Sequence, residues 1–310
     1  MAPRVSIVTR TKDRPLFLSR AINSITSQTF EDWELIIVND GGDPSVVDRV
    51  ISPLPSVARQ RVRIINHQTA RGRWQAANAG VRAATGEFLI LHDDDDSWSS
   101  TFLDEAVSYL DENVDREGVV SRIEIIWEER QGDTIAELNR EAFLPDSVAP
   151  LLMNQQRFNQ FVPIAFLYRR SLHDQLGPYD ETLPVVGDWV FNTRVLERGP
   201  LAYLSDAPQV FWHQRPTSVG VDGNSVIAAR DQHQLHDALL RDQEFRNLVA
   251  REGSAAALYL EARLRDTEEL FRREISRLRD DIANHPLRRV ARQARQVLRR
   301  NRRSRGGRIP

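Results

Sequence analysis

Four consecutive carboxylates, Asp93 to Asp96, follow the apolar segment Glu87–Leu91. Like charges this close repel one another, and a divalent cation is the usual means of offsetting the repulsion. In extended backbone Asp93 and Asp95 point the same way, so both can face one ion, or one ion and a ribose. The alternative is a solvated acidic turn in which Asp96 caps the helix that follows. Asp40 ends a second apolar segment, in Val38-Asn39-Asp40-Gly41-Gly42. Its carboxylate can accept hydrogen bonds from a nucleobase or ribose, or close an Asx-turn beside the two glycines. Arg71 and Arg73 flank Gly72 just ahead of a helix pattern. Guanidinium forks match phosphate oxygens; the alternative is a pair of surface charges.

What the chain lacks narrows the chemistry further. Its 310 residues include no cysteine, which removes thiol nucleophiles, zinc ribbons, iron–sulfur sites and disulfide scaffolds. Lys12 is the single lysine among 42 basic residues, and no lysine follows a glycine-rich loop. Schiff-base and Walker-type chemistry are therefore nearly excluded. Carboxylate, metal and arginine chemistry remain.

The elements that must position these residues alternate. Val5–Thr9, Trp33–Val38, Val62–Ile65 and Glu87–Leu91 read as buried strands. Pro15–Gln28, Arg73–Ala84 and Thr101–Leu110 read as helices, with Pro15 suited to a first turn. This order predicts an α/β fold with a mostly parallel sheet covered on both faces. Ligands of such sheets sit beyond the carboxyl ends of the strands. Thr9–Asp13, Asp40 and Asp93–Asp96 all fall at such ends. The middle, 118–222, reads as short strands, turns and one helix, Trp189–Glu197. From about Ser225 the chain reads as helical and polar.

The first strand end Thr9–Arg14, the VNDGG turn, the segment RGRWQAANAGVRAATGEFLILHDDDDSW and the later GPYDETLPVVGDWVFNTRVLERG resemble, in this order and spacing, family 2 glycosyltransferases of the GT-A fold. The resemblance covers roughly residues 4–220. It implies a Rossmann-like, mostly parallel sheet with helices on both faces. It implies a DXD motif made by Asp93 and Asp95, with Asp95 on Mn²⁺ or Mg²⁺ and Asp93 and Asp94 on the nucleotide sugar. Asp40 matches the acidic position that meets the base. Thr9, Arg10 and Asp13 lie where the family's first strand meets the nucleotide, and Arg71 and Arg73 would face its diphosphate. The family's Glu-Asp pair, source of the general base, stands here as Gly187-Asp188, so the base would be Asp188. His213, in Trp212-His213-Gln214-Arg215, matches a histidine that can be a further metal ligand. Trp98 and Trp189 are candidate acceptor walls, since sugar faces stack on aromatics; core packing is the alternative for each. His92 reads as packing rather than ligand.

The implied reaction moves a sugar from a nucleotide-sugar donor, with UDP expected, to a glycan or lipid-linked hydroxyl. The cation and arginines would neutralise the leaving diphosphate, and Asp188 would take the acceptor proton with inversion. A nucleotidyltransferase shares the topology but usually needs a glycine-rich first loop, and Thr9–Pro15 lacks glycine. A dehydrogenase would show GxGxxG after the first strand. A scaffold acting through its basic end is the non-enzymatic alternative.

The net charge of −2 hides an asymmetry. After Asp281 the chain has ten arginines and no acid, whereas residues 1–281 carry 32 basic and 44 acidic residues. The expected organisation is a 1–222 transferase domain, a 223–285 helical extension and a 286–310 basic amphipathic tail. The tail suits an anionic membrane surface better than nucleic acid. Leu264, Phe271, Ile275, Leu278 and Ile282 approximate a seam for self-association, with packing of one surface helix on its own domain as the alternative. No apolar run approaches the roughly 20 residues of a membrane helix. The N-terminus reads as free of a signal peptide, so the expected location is cytoplasmic, peripheral on the inner membrane face.

Overall fold

The computed structural model describes residues 2–132, 134–216 and 230–284. Its centre is a nine-stranded sheet. Four strands form a parallel half: β1 (Val5–Thr11), β2 (Trp33–Asp40), β3 (Val62–His67) and β4 (Phe88–Leu91), in the order β3-β2-β1-β4. Strands buried on both faces need apolar side chains at successive positions. Leu35, Ile36, Ile37 and Val38 of β2 are all fully buried, as are Val5, Ile7 and Val8 of β1.

Helices α1 (Pro15–Thr26), α2 (Pro44–Ile51), α3 (Ser56–Gln60), α4 (Arg73–Ala83) and α5 (Phe102–Glu112) connect or follow these strands. α1 opens on Pro15, whose missing N–H costs nothing in a first turn. It buries Phe17, Leu18, Ala21, Ile22 and Ile25, a helical stripe. The strand ends run one or two residues beyond their apolar cores. Thr11 pairs with Asn39, and Asp40 with His67. The carboxyl ends of β1, β2 and β4 therefore lie side by side, and their polar ends share one edge.

The second half of the sheet differs from the short strands expected for 118–222. After β5 (Ser97–Trp98) comes β6 (Gly118–Gln131), 14 residues long, then β7 (Thr134–Ala142), β8 (Phe166–Arg169) and the 12-residue β9 (Tyr203–Gln214). The order continues β4-β8-β6-β9-β5, and β7 pairs with β6. β8 is antiparallel to both β4 and β6, whereas β6 and β9 are parallel. Short helices α6 (Leu152–Gln155) and α7 (Leu172–Leu176) precede α8 (Gly187–Arg198). α9 (Arg230–Glu252) and α10 (Ser254–Asn284) follow.

The chain divides into two compact units, Met1–Ala238 and Leu239–Pro310. The expected 222/223 boundary and the 286–310 tail lie outside the described residues. Within α10 the side chains of Leu264, Phe271, Ile275 and Leu278 are 62, 64, 49 and 57% exposed. Among the described residues, no helix is long and apolar enough to cross a membrane.

Candidate active site

A cavity of about 330 Å³ opens at the carboxyl ends of β1, β2 and β4. Arg10, Thr11, Lys12 and Arg14 come to it from β1 and the turn into α1; Asp40 comes from β2. Arg73, Trp74 and Ala76 come from α4, and Asp93 to Asp96 from the end of β4. Val162, Pro163 and Asp188 close the opposite side with Trp212 and Gln214 of β9, and His233 of α9 completes the lining.

The acidic run is neutralised by arginine. Asp93 pairs with Arg10, and Arg14 bridges Asp94 (2.8 Å) and Asp95 (2.7 Å). Arg215, fully buried, joins Asp95 to Glu128 of β6. Glu128 is 3% exposed and also accepts from Arg20 of α1 (2.9 Å) and from His213 (2.8 Å). Burial disfavours the charged form of Asp95, but Arg14 and Arg215 more than offset it, so its carboxyl lies well below the usual range. Glu128 follows the same logic: burial opposes ionisation, His213 and Arg20 prevail, and its carboxyl is held at about 2. Asp94 and Asp96 are shifted the other way. Burial pushes both up, and the neighbouring aspartates add to it. The repulsion within the run is thus offset by guanidinium groups already in place. Sequence reasoning assigned that task to an ion and missed Arg14, Arg20, Arg215 and Glu128.

Asp40 acts as a latch. Its Oδ1 accepts from the backbone N–H of Arg71 (2.9 Å) and lies 2.7 Å from His67 Nδ1; its Oδ2 accepts from Gly72 N–H (2.9 Å). Gly72 has φ +104 and precedes α4, so this latch needs a residue free of a Cβ penalty. Gly41 has φ +77, and a Cβ there would lie 2.2 Å from the Ala70 nitrogen. The loop so fixed presents Arg73 to the cavity. Among the described residues Arg73 makes no ion pair; burial and the nearby Arg10 lower its pKa, while Asp93 and Asp188 attract it.

Asp188 lies in the first turn of α8. Burial pushes its carboxyl up, and Arg73 and the Trp189 N–H pull against this. Gly187 stands where the resembling pattern has glutamate, and the structure gives a steric reason. A Cβ at Gly187 would meet the indole of Trp74 at 2.6 Å. Trp74 is 2% exposed, stacks on Tyr179 (5.3 Å between centroids) and carries Arg10 over its face.

Some expected site residues are held elsewhere. Trp98 does not line the cavity: it is buried, packs against His92 and Phe102, and donates its indole N–H to Ile164 C=O (3.0 Å). Trp189 is buried and donates to Gln155 C=O (2.8 Å). The lining aromatics are Trp74 and Trp212 instead. His213 is not among the cavity's lining residues; its Nδ1 lies 2.8 Å from Glu128 and its Nε2 2.8 Å from Ser97 Oγ. Both ring nitrogens thereby have partners within the protein. Thr9 is fully buried behind the lining, where Thr11 takes its place. Asp13 ties the turn after β1 to the Asp43 N–H (2.7 Å) rather than facing the cavity. Arg71 contributes its backbone N–H. His92 is buried against Trp98, as expected of a packing residue.

Among the described residues no three His, Asp or Glu side chains converge into a ready-made metal site. Asp93 and Asp95 fit a different mode, in which Mg²⁺ or Mn²⁺ is held by one or two carboxylates plus substrate phosphates.

Comparison with known proteins agrees with this geometry. The Glycosyl transferase family 2 model matches residues 6–177. The chain is 30% identical over 191 residues to the glycosyltransferase YwdF of Bacillus subtilis, covering 62% of this chain and 67% of that protein. It is 28% identical over 194 residues to a PGL/p-HBAD biosynthesis glycosyltransferase of Mycobacterium bovis, covering 62% and 70%. In fold it is similar to S. aureus TarS 1-349 in complex with UDP (TM-score 0.53, 18% identity). That match covers 69% of this chain and 61% of TarS 1-349. TarS 1-349 in complex with UDP-GlcNAc matches with TM-score 0.54 and 16% identity, over 71% and 61% of the two chains. The parallel half-sheet, the acidic run at its carboxyl edge and the family match over more than half the chain lead to one conclusion: this protein is a glycosyltransferase of family 2, with a GT-A fold.

Proposed function

We propose that the chain transfers a sugar, with inversion, from a UDP-sugar to a hydroxyl of a glycan or lipid-linked acceptor, using Mn²⁺ or Mg²⁺. The observation that carries this reading is Arg73: a cavity guanidinium without an ion pair among the described residues, attracted by both Asp93 and Asp188. A diphosphate supplies the anion such a group lacks. As the anomeric C–O bond breaks, the electron pair leaves with the diphosphate. Arg73 and Arg10 are placed to meet that charge. A divalent cation, arriving with the nucleotide and held by Asp93 and Asp95, would supply Lewis-acid stabilisation of the leaving group. Asp188 takes the proton of the attacking hydroxyl, and desolvation raises its carboxyl's proton affinity, in the direction a general base needs.

Titration of UDP with and without Mn²⁺, and turnover of a panel of UDP-sugars, test this reading. Asp188→Asn is expected to lower kcat by about 10²–10⁴-fold with UDP binding retained. Asp95→Ala is expected to remove the Mn²⁺-dependent part of UDP binding. Normal turnover by Asp188→Asn would sink the base assignment.

The exposed stripe of α10 supports self-association through a parallel coiled coil. With Leu264, Phe271 and Leu278 at d and Ile275 at a, pairing two copies sets Glu274 of one copy, at g, against Arg279 of the second, at e. Sedimentation velocity of the full chain should show an oligomer that Glu274→Arg weakens and Glu274→Arg/Arg279→Glu restores. A monomeric full chain refutes it.

A further inference from the structure

Asp188 has no arginine at ion-pair distance among the described residues, unlike Asp93, Asp94 and Asp95. Its side-chain partner is an amide: Asn159 Nδ2 donates to Asp188 Oδ2 at 2.9 Å. The orientation of that amide is dictated by its surroundings. The backbone N–H of Gln160 can only donate, so Gln155 turns Oε1 toward it (2.8 Å) and Nε2 toward Asn159 Oδ1 (2.9 Å). The carbonyl of Phe161 can only accept, so Asn192 turns Nδ2 toward it (3.1 Å) and toward Asn159 Oδ1 (3.1 Å). With two donors fixed on its oxygen, Asn159 presents its NH₂ to Asp188. Gln155 and Asn192 are 0 and 3% exposed; flipping Gln155 sets a buried donor against the Gln160 N–H, and flipping Asn192 sets a buried acceptor against the Phe161 carbonyl.

We propose that Asn159 is a positioning residue for Asp188, one that fixes Oδ2 and so the orientation in which the carboxylate meets the acceptor proton. The proposal rests on Asp188 as the general base. Asn192 lies one helical turn after Asp188 on α8, so the same helix carries both the base and one support of its orienting amide. A donated hydrogen bond also favours the carboxylate over the acid, against the burial that raises it. The charged groups that act on Asp188 are Arg73 and Arg10, which favour ionisation, and Asp93, which opposes it. His233 borders the same cavity.

The test uses the full chain, the UDP-sugar turned over fastest in the donor panel, and UDP for binding. Asn159→Leu removes the donor at similar volume. Asn159→Asp keeps the shape and sets two carboxylates against each other, which then share a proton. Both variants are expected to lower kcat about tenfold, to move the acid limb of the kcat–pH profile up by about one unit, and to bind UDP within about twofold of the parent. The limb rises because loss of the donor favours the protonated base. An acid limb unmoved in Asn159→Asp, or a kcat within twofold of the parent in both variants, overturns the proposal. Failure of the underlying reading looks different: the acid limb would then survive in Asp188→Asn.

Discussion

The two acidic walls of the cavity solve the same problem in opposite ways. On the β4 side, Asp95 is buried and ionised because Arg14 and Arg215 hold it. On the α8 side, Asp188 is half-buried and held by a neutral amide, and its proton affinity is raised. Environments that push the pKa values of two carboxylates apart assign their roles. A carboxylate that stays charged suits a cation and a diphosphate. One whose proton affinity is raised suits proton transfer. Charge pairing sets them apart, since both are aspartates lining one cavity.

The largest stability effect that would break this contrast is expected at Arg215. It is fully buried between Asp95 and Glu128. Removing one member of a buried ion network leaves its partners uncompensated and costs about 3–5 kcal/mol. Arg215→Met is expected to lose that much at pH 7 by urea denaturation, whereas Asn159→Leu loses less because no buried charge is stranded. The pH dependence has a definite sign. Glu128 is lowered from 4.5 to about 2 and Asp95 is also lowered. Their contribution is complete above the unfolded-state pKa and is lost as pH falls through the folded one. Parent stability should therefore decline between about pH 4.5 and pH 2, and the gap between parent and Arg215→Met should narrow over the same window. A gap independent of pH would mean that Arg215 contributes by packing alone.

Much of the parallel half was legible in the sequence because each strand is a continuous apolar run bounded by turn residues. The ends were read short. Arg10-Thr11 and Asn39-Asp40 carry no apolar signal, yet they continue the ladder through pairs such as Thr11 with Asn39. The second half was less legible because its neighbours are distant in sequence: Arg20 reaches Glu128 across 108 positions. The same limit shaped the site. Asp40, Arg73, Asp93 and Asp188 line one cavity, since strand and helix ends mark it. An acidic run announces that positive charge must be near, but not whether an ion or an arginine provides it. Tryptophan composition signals a large apolar surface and leaves open which face of a helix or strand it covers. Hence Trp98 and Trp189 proved to be core, while Trp74 and Trp212 took the wall. Asn159 gave no signal, because an amide becomes informative only when its partners are known.

A smaller effect sharpens the α8 wall. Gly187 has no side chain, and a Cβ there would lie 2.6 Å from Trp74 Cε2 and 2.8 Å from its Nε1. Trp74 is itself held by Tyr179 and by the core, so it cannot retreat without loss. Gly187→Glu is therefore expected to cost about 1–3 kcal/mol through overpacking. In a Trp74→Ala background the indole is gone and the same substitution meets open space, so its cost should fall by most of that amount. Contacting residues show such non-additivity, and a double-mutant cycle in urea measures it. If Gly187→Glu costs the same in both backgrounds, the indole is not what excludes glutamate beside the base, and the reason must lie in the backbone. Val186 is the place to look, since it enters α8 at φ +57, a left-handed conformation unfavourable for a β-branched residue.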